Sequence, residues 1–142
     1  MSIVADPDPS LGGVLETVLY CAPGERESVE RFYSDLLGLV EVSRFGDGTA
    51  FRLGDGVLLI FDLERLGRRQ DPIAEHGSSG PGHACLLAGD PGEYEAWRDR
   101  IEAAGIEITH EHEWRDGMHS FYFRDPAGNL LEIASDDLWP RA

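Results

Sequence analysis

The sequence predicts an α+β fold in which two paired βαβββ units form a cleft between curved mixed β-sheets. Short apolar runs rich in β-forming residues are separated by Gly-containing turns, and each half has one segment with helical spacing near its start. The order of elements in the first half also recurs in the second. With 142 residues, one domain can bury a core without disulfides or a structural metal.

The first unit is predicted over residues 13–63, after a lead-in over 1–12 whose Pro, Asp and Gly content indicates a frayed segment. A strand over 14–21 precedes a helix over 23–38, which has apolar residues at helical spacing and a Gly at its end. Gly-Asp-Gly turns separate the remaining three strands. These strands are predicted over residues 39–45, 49–54 and 57–63.

The second unit is predicted over residues 83–138, after a polar linker over 64–82. It repeats the first unit, with a strand over 83–89 and a helix over 91–105. Its last three strands are predicted over residues 106–114, 119–125 and 129–135. The two units together are expected to form one domain.

Charge and composition limit the classes of partner. A formal net charge of −15 argues against nucleic acid and anionic membranes, because both kinds of binding depend on clustered Lys and Arg. No apolar run approaches the roughly 20 residues that span a bilayer. The sequence "MSIVADPDPSLGG" lacks the features of a signal peptide, and Cys21 and Cys85 lie in apolar runs that suggest buried thiols. We expect a cytoplasmic protein.

Overlaying the two halves relates four positions that can face a shared cleft. An offset of 67 residues places Glu16 on His83, and an offset of 72 places Ile60 on Glu132. Glu132 is notable because it interrupts an apolar strand. Carboxylate oxygens and an imidazole suit Fe, Mn, Ni, Co or Zn, and three protein ligands leave positions open for a substrate. The sequence therefore predicts a catalytic metal site at Glu16, His83 and Glu132.

Three segments carry a resemblance to a known family. "ERFYSDLLGL", "GHACLLA" and above all "FYFRDPAGNLLEI" resemble the vicinal oxygen chelate superfamily, which comprises glyoxalases, bleomycin resistance proteins and extradiol dioxygenases. The resemblance covers residues 14–135 and implies metal ligands on the first, fourth, fifth and eighth strands. These positions fall on Glu16, Ile60, His83 and Glu132. Ile60 cannot coordinate a metal, which leaves three ligands.

The resemblance implies a divalent-metal-dependent enzyme that binds a small molecule through vicinal oxygens, with lyase, isomerase or dioxygenase chemistry. Glu16 and Glu132 are the expected catalytic residues, since either carboxylate could also move a proton. The alternative is a non-catalytic drug-binding protein that sequesters its ligand, as bleomycin resistance proteins do. The resemblance and the open sheet edges also lead us to expect a homodimer.

The lining of the cleft is less determined by the sequence. We expect Ile60, His110, His112, Phe121 and Phe123 to line it. Because side chains alternate along a strand, the opposite face of residues 119–125 remains an alternative. That face carries Ser120, Tyr122 and Arg124. Residues His110 and His112 alternate with glutamates, so this strand could equally have one solvated face.

Overall fold

A computed structural model describes residues 8–66, 73–74 and 76–140. It contains two four-stranded mixed sheets and a few helices, which confirms the predicted fold class. In the described part of the chain, no helix is long and apolar enough to cross a membrane.

The first unit begins with strand β1, Glu16–Cys21, followed by helix α1, Arg26–Arg31. A π-helical turn, Phe32–Leu36, extends α1, and the Leu39 amide donates back to the Tyr33 carbonyl as this segment ends. Gly38 follows the turn with a φ of +71°, a conformation that favours glycine. Strands β2, β3 and β4 and the short helix α2 complete the unit at Val40–Phe45, Gly48–Leu53, Gly56–Asp62 and Leu63–Leu66.

The second unit begins with strand β5, His83–Leu87, and its helix α3 covers Tyr94–Ala103 after a 3₁₀ turn at Pro91–Glu93. Strands β6, β7 and β8 cover His110–Glu113, His119–Arg124 and Leu130–Ala134, with a 3₁₀ turn at Arg115–Gly117. Strand β6 is shorter than the predicted strand over 106–114. Ile106 and Ile108 instead pack against the core from the segment that precedes it.

Both sheets have the same topology. In the first the strand order is β1-β4-β3-β2, and in the second it is β5-β8-β7-β6. The β1–β4 and β5–β8 pairs are parallel, whereas the other pairs are antiparallel. This shared order is what the predicted repeat of βαβββ units requires.

A single hydrophobic core joins the two units. It includes Leu19 and Ile60 from the first sheet, Phe121 and Phe123 from the second, and Tyr33 from the helical segment. Phe121 and Phe123 have no exposed surface and Ile60 is 1% exposed. These three residues therefore pack in the core, and the expectation that they line a cleft is wrong.

Polar contacts reinforce the connection between the units. The Asn129 amide donates to the Tyr20 carbonyl oxygen over 2.9 Å, and the Asp125 carboxylate accepts from the backbone of Ala127 and Asn129. Gly82 lies so close to Leu19 that an added Cβ would come within 2.8 Å of the Leu19 side chain. The "DPAGN" segment is thus a turn whose side chains hold the first sheet against the second.

The opposite face of the first sheet is covered by a smaller apolar cluster. Ala50, Leu59 and Phe61 are its buried members. Partly buried residues pack around them, namely Val18, Tyr20, Phe45 and Val57. His76 lies against this cluster, with its ring 5.0 Å from that of Phe61 and hydrogen bonded to the Tyr20 hydroxyl.

Candidate metal site

Strand pairing places a row of polar side chains across the second sheet. Cys85 is paired with Glu132, Glu132 with Tyr122, and Tyr122 with His110. Because paired residues project from the same face of a sheet, these four side chains lie on one face, and His83 joins them two residues before Cys85. We call this the polar face of the second sheet; its other face is the core.

Glu132 and His83 are in direct contact on this polar face. Glu132 is 5% exposed, and its Oε1 lies 3.3 Å from His83 Nε2. The other ring nitrogen, His83 Nδ1, lies 2.9 Å from the Leu130 carbonyl oxygen. A carbonyl oxygen only accepts, so Nδ1 carries a proton, and in the neutral form of His83 the Nε2 lone pair is directed at the carboxylate.

Two acceptor atoms facing each other need a cation or a proton between them. Ligand bonds of about 2.0–2.2 Å at a tetrahedral angle separate two ligand atoms by about 3.3–3.5 Å. The observed 3.3 Å between His83 Nε2 and Glu132 Oε1 agrees with that spacing. Orientation of a metal-bound histidine by a backbone carbonyl is also a common arrangement. His83 and Glu132 therefore fit as two ligands of one divalent ion.

Tyr122 and Cys85 surround the Glu132 carboxylate. Burial, together with a hydrogen bond to Glu132, raises the pKa of Tyr122. Burial of the sulfur and the charge of Glu132 raise the pKa of Cys85 to about 12. Both groups thus stay protonated at neutral pH and can donate to the carboxylate. Cys85 as a whole is exposed, which corrects the expectation that it is a buried thiol.

Glu16 is not brought to this pair. It is exposed at the start of β1, where its paired residue is Val57. Across the described ranges, no group of three or more His, Cys, Asp or Glu side chains is close enough together to hold a metal. Of the three predicted ligands, the structure places two in contact.

Strand register corrects the repeat partner of Glu132. Glu16 pairs with Val57 and His83 with Leu130, so Leu59, two residues beyond Val57, is the equivalent of Glu132. The reason is the turn before the last strand of each unit. Four residues lie between the paired Arg52 and Val57, but five lie between Arg124 and Leu130. The overlay treated the two turns as equal in length and therefore selected Ile60.

The structure places His110 and His112 on the polar face, where both are exposed. The His110 ring lies 5.9 Å from that of Tyr122, and the His83 ring stacks on the other side of Tyr122 at 6.2 Å. Cys85 was not among the predicted site residues, and Tyr122 lies on the face of residues 119–125 that the sequence left open as an alternative lining. The alternation from His83 to Cys85 could have identified the thiol, whereas Tyr122 required the β7–β8 register.

The sequence and the fold are similar to those of known proteins. Residues 24–133 match the Glyoxalase/Bleomycin resistance protein/Dioxygenase superfamily. A lactoylglutathione lyase from Agrobacterium tumefaciens is 37% identical, with a TM-score of 0.80, over 89% of this chain and 95% of that one.

Two further solved structures share the architecture. A virulence protein from Salmonella typhimurium is 25% identical with a TM-score of 0.68, over 89% of this chain and 98% of that one. A glyoxalase/bleomycin resistance protein/dioxygenase from Nocardioides has a TM-score of 0.65 at 24% identity, over 89% of this chain and 84% of that one. This chain therefore belongs to the glyoxalase/bleomycin resistance protein/dioxygenase superfamily.

Proposed function

We propose that the protein is a divalent-metal-dependent enzyme that acts on a small molecule bound through vicinal oxygens. The observation that carries this proposal is the 3.3 Å contact between His83 Nε2 and Glu132 Oε1, with His83 oriented by a backbone carbonyl. The similarity to a lactoylglutathione lyase supports lyase or isomerase chemistry. Membership of a superfamily that includes dioxygenases keeps oxygenase chemistry within the proposal.

His83 and Glu132 would hold the ion, and Glu16 would become the third ligand only if its exposed side chain moved toward the pair, from which the structure leaves it apart. Fe, Mn, Ni, Co and Zn all accept this mixture of imidazole and carboxylate ligands. When bound, the ion supplies Lewis acidity toward the substrate oxygens. Leu59 stands at the fourth position related by the repeat and offers no ligand atom, which leaves more of the ion open to substrate.

The protein's own groups then position and move protons. Tyr122 and Cys85 are protonated neighbours of the Glu132 carboxylate and are the groups that could donate to it, because burial raises the pKa of both. Glu16 is exposed and therefore free to reorient, so its carboxylate is the better candidate to take a proton from the substrate. Glu132 is buried and more constrained, so we assign it mainly to binding.

Metal content tests this proposal directly. Purified protein should contain close to one Fe, Mn, Ni, Co or Zn ion at this site, and adding such ions to chelator-treated protein should raise its melting temperature. Glu132→Gln and His83→Ala should both remove most of that increase. Glu113→Gln is a matched control, because Glu113 is exposed on β6 and alternates away from the polar face. No bound metal together with an unchanged melting temperature would contradict the proposal.

A second candidate function is binding without catalysis. It is favoured by Leu59, which stands at the repeat-related position of Glu132 and offers no ligand atom. Thermal stabilisation by bleomycin-type compounds in the presence of a chelator, unchanged in Glu132→Gln, would support sequestration over metal-dependent catalysis.

We also propose a homodimer. Strand β2 is the edge of the first sheet, and its Val40 and Val42 are 67% and 49% exposed. An exposed apolar edge favours pairing with another chain. Light scattering coupled to size-exclusion chromatography should give twice the 15.7 kDa chain mass, and a monomer at all concentrations would contradict this part of the proposal.

A further inference from the structure

We propose that His110 and His112 form a second, auxiliary binding site for a late first-row transition-metal ion such as Ni²⁺, Cu²⁺ or Zn²⁺. The pair lies on β6, on the polar face but apart from His83 and Glu132. This site does not depend on the proposed function, because neither histidine is among the ligands assigned to the catalytic ion.

The distance between the two imidazoles fits a shared ion. His110 Nε2 lies 3.4 Å from His112 Nδ1. Two nitrogen ligands with bonds of about 2.0–2.1 Å at a tetrahedral angle are about 3.3–3.4 Å apart. Residues separated by two positions on a strand project from the same face, so the backbone already directs both rings to one side. An ion can therefore replace the weak nitrogen–nitrogen contact without a change of backbone.

The surroundings leave room for a hydrated ion. Both histidines are exposed, and β6 is the edge strand of its sheet. Two protein ligands leave the remaining positions to water, which suits exchangeable binding. Imidazole nitrogen favours the later transition metals, whereas Mg²⁺ and Ca²⁺ prefer oxygen ligands. The site should therefore discriminate strongly against Mg²⁺.

The second site is separate from the first. His110 is paired with Tyr122 and Tyr122 with Glu132, so two strand spacings, or roughly 10 Å, separate His110 from Glu132. Two-metal catalytic centres hold their ions about 3.5–4 Å apart. An ion at His110 and His112 is consequently not a partner in such a centre. It adds positive charge beside the site of a protein whose net charge is −15.

Trp114 provides an internal reporter. Its ring centroid lies 4.4 Å from that of His112, and its indole N–H donates to Ser120 Oγ over 2.9 Å, which fixes the ring beside the histidine. Ni²⁺ or Cu²⁺ bound to His112 would lie within quenching range of this indole. An ion at His83 and Glu132 would lie on β5 and β8 rather than beside the indole that follows β6, so it should quench the fluorescence less.

The experiment is a titration of chelator-treated, full-length protein with Ni²⁺, followed by calorimetry and by tryptophan fluorescence. The wild type should bind two ions per chain, and one binding event should quench fluorescence. A His110→Gln/His112→Gln double variant should lose the quenching event and keep the other. His119→Gln is the matched control, because His119 alternates onto the other face of the second sheet; it should behave like the wild type.

Glu132→Gln separates this inference from the proposed function. It should lose one binding event but retain the quenching. Trp114→Phe should remove the quenching, while the number of bound ions stays at two. Retained quenching and two bound ions in the double variant would overturn the auxiliary site and leave the catalytic site intact. A single ion that disappears only in the double variant would support the auxiliary site and contradict the proposed function.

Discussion

The Tyr33 hydroxyl donates a 2.7 Å hydrogen bond to Asp125 Oδ2, linking the helical segment of the first unit to the turn before the last strand of the second. Both residues are buried, at 0% and 4% exposure. Asn129 Nδ2 donates to the same carboxylate oxygen over 3.0 Å. Burial and the Asp125 charge raise the pKa of Tyr33, so its hydroxyl remains a donor throughout the ordinary pH range.

Tyr33→Phe removes this donor while it preserves the ring in the core. We expect the free energy of unfolding to fall by about 1.5–3 kcal/mol, because the lost hydrogen bond is to a buried charged group. Urea denaturation measures the change. Tyr94→Phe is the matched control: its hydroxyl donates over 3.1 Å to the exposed Glu111, so the loss should be smaller. Equal losses of unfolding free energy in Tyr33→Phe and Tyr94→Phe would contradict a stronger stabilising effect of the bond to Asp125.

Glu132→Leu places at this position the residue type found at its structural repeat, Leu59. A buried carboxylate costs free energy unless it is fully paired, so an apolar replacement of similar volume is often neutral or stabilising. In a chelator we expect the melting temperature to stay the same or increase. Most of the stabilisation caused by added metal should be lost, and the part that remains should come from the ion at His110 and His112. If the substitution lowered the free energy of unfolding by several kcal/mol in the presence of the chelator, the carboxylate would also have a structural role.

Ile60→Ala tests the corrected placement of this residue. Because Ile60 is 1% exposed within the shared core, the substitution should lower the free energy of unfolding by about 2–5 kcal/mol. Metal binding by the folded variant should not change. Leu11→Ala, at a position that is 98% exposed and outside the strands, should change stability by no more than about 0.5 kcal/mol. A mild effect at Ile60 with altered ligand binding would restore the cleft assignment.

Alkaline pH should destabilise the protein through Cys21. Burial, followed by the charges of Asp62 and Glu25, raises the pKa of this thiol to about 11 from a reference value of 9.0. A thiol whose pKa is higher in the folded protein than in the unfolded chain contributes its full stabilisation at any pH below the unfolded-state pKa. That stabilisation is lost as the pH rises to the folded-state pKa. Stability should therefore decline between about pH 9 and 11.

Denaturation of wild type and Cys21→Ala at pH 8, 9 and 10 measures this effect. The variant starts from a lower stability, because the substitution shortens a core side chain, but its decline with pH should be shallower. Parallel curves for the two proteins would mean that Cys21 does not titrate in the way its surroundings indicate.

The fold and half of the site could be predicted because their signals are local. An apolar strand interrupted by Glu132, and a repeated order of elements, identify the second sheet without knowledge of its packing. Leu59 and Tyr122 depend on register instead. One additional residue in a turn reverses the face on which every later side chain of a strand projects. The overlay could not detect that residue, because "GDG" and "DPAGN" both look like ordinary turns.

Phe121 and Phe123 illustrate a second limit on what the sequence can predict about the site. Alternation separates them correctly from Ser120 and Tyr122, but an apolar cleft and an apolar core both accept phenylalanine. Only the packing of the helical segment, where the Phe32 ring lies 6.3 Å from that of Phe123, decides between the two faces. Glu16 is a similar case, since its distance from the His83–Glu132 pair depends on how the sheets are arranged.

The common core and the Tyr33–Asp125 bond also determine how the protein unfolds. Each sheet contributes buried side chains to the same cluster, so neither unit can open without exposing apolar surface on the other. Loss of either half removes the binding partner of the remaining half. Although the repeat gives the chain two similar units, they should melt together in one cooperative transition, with equal calorimetric and van't Hoff enthalpies.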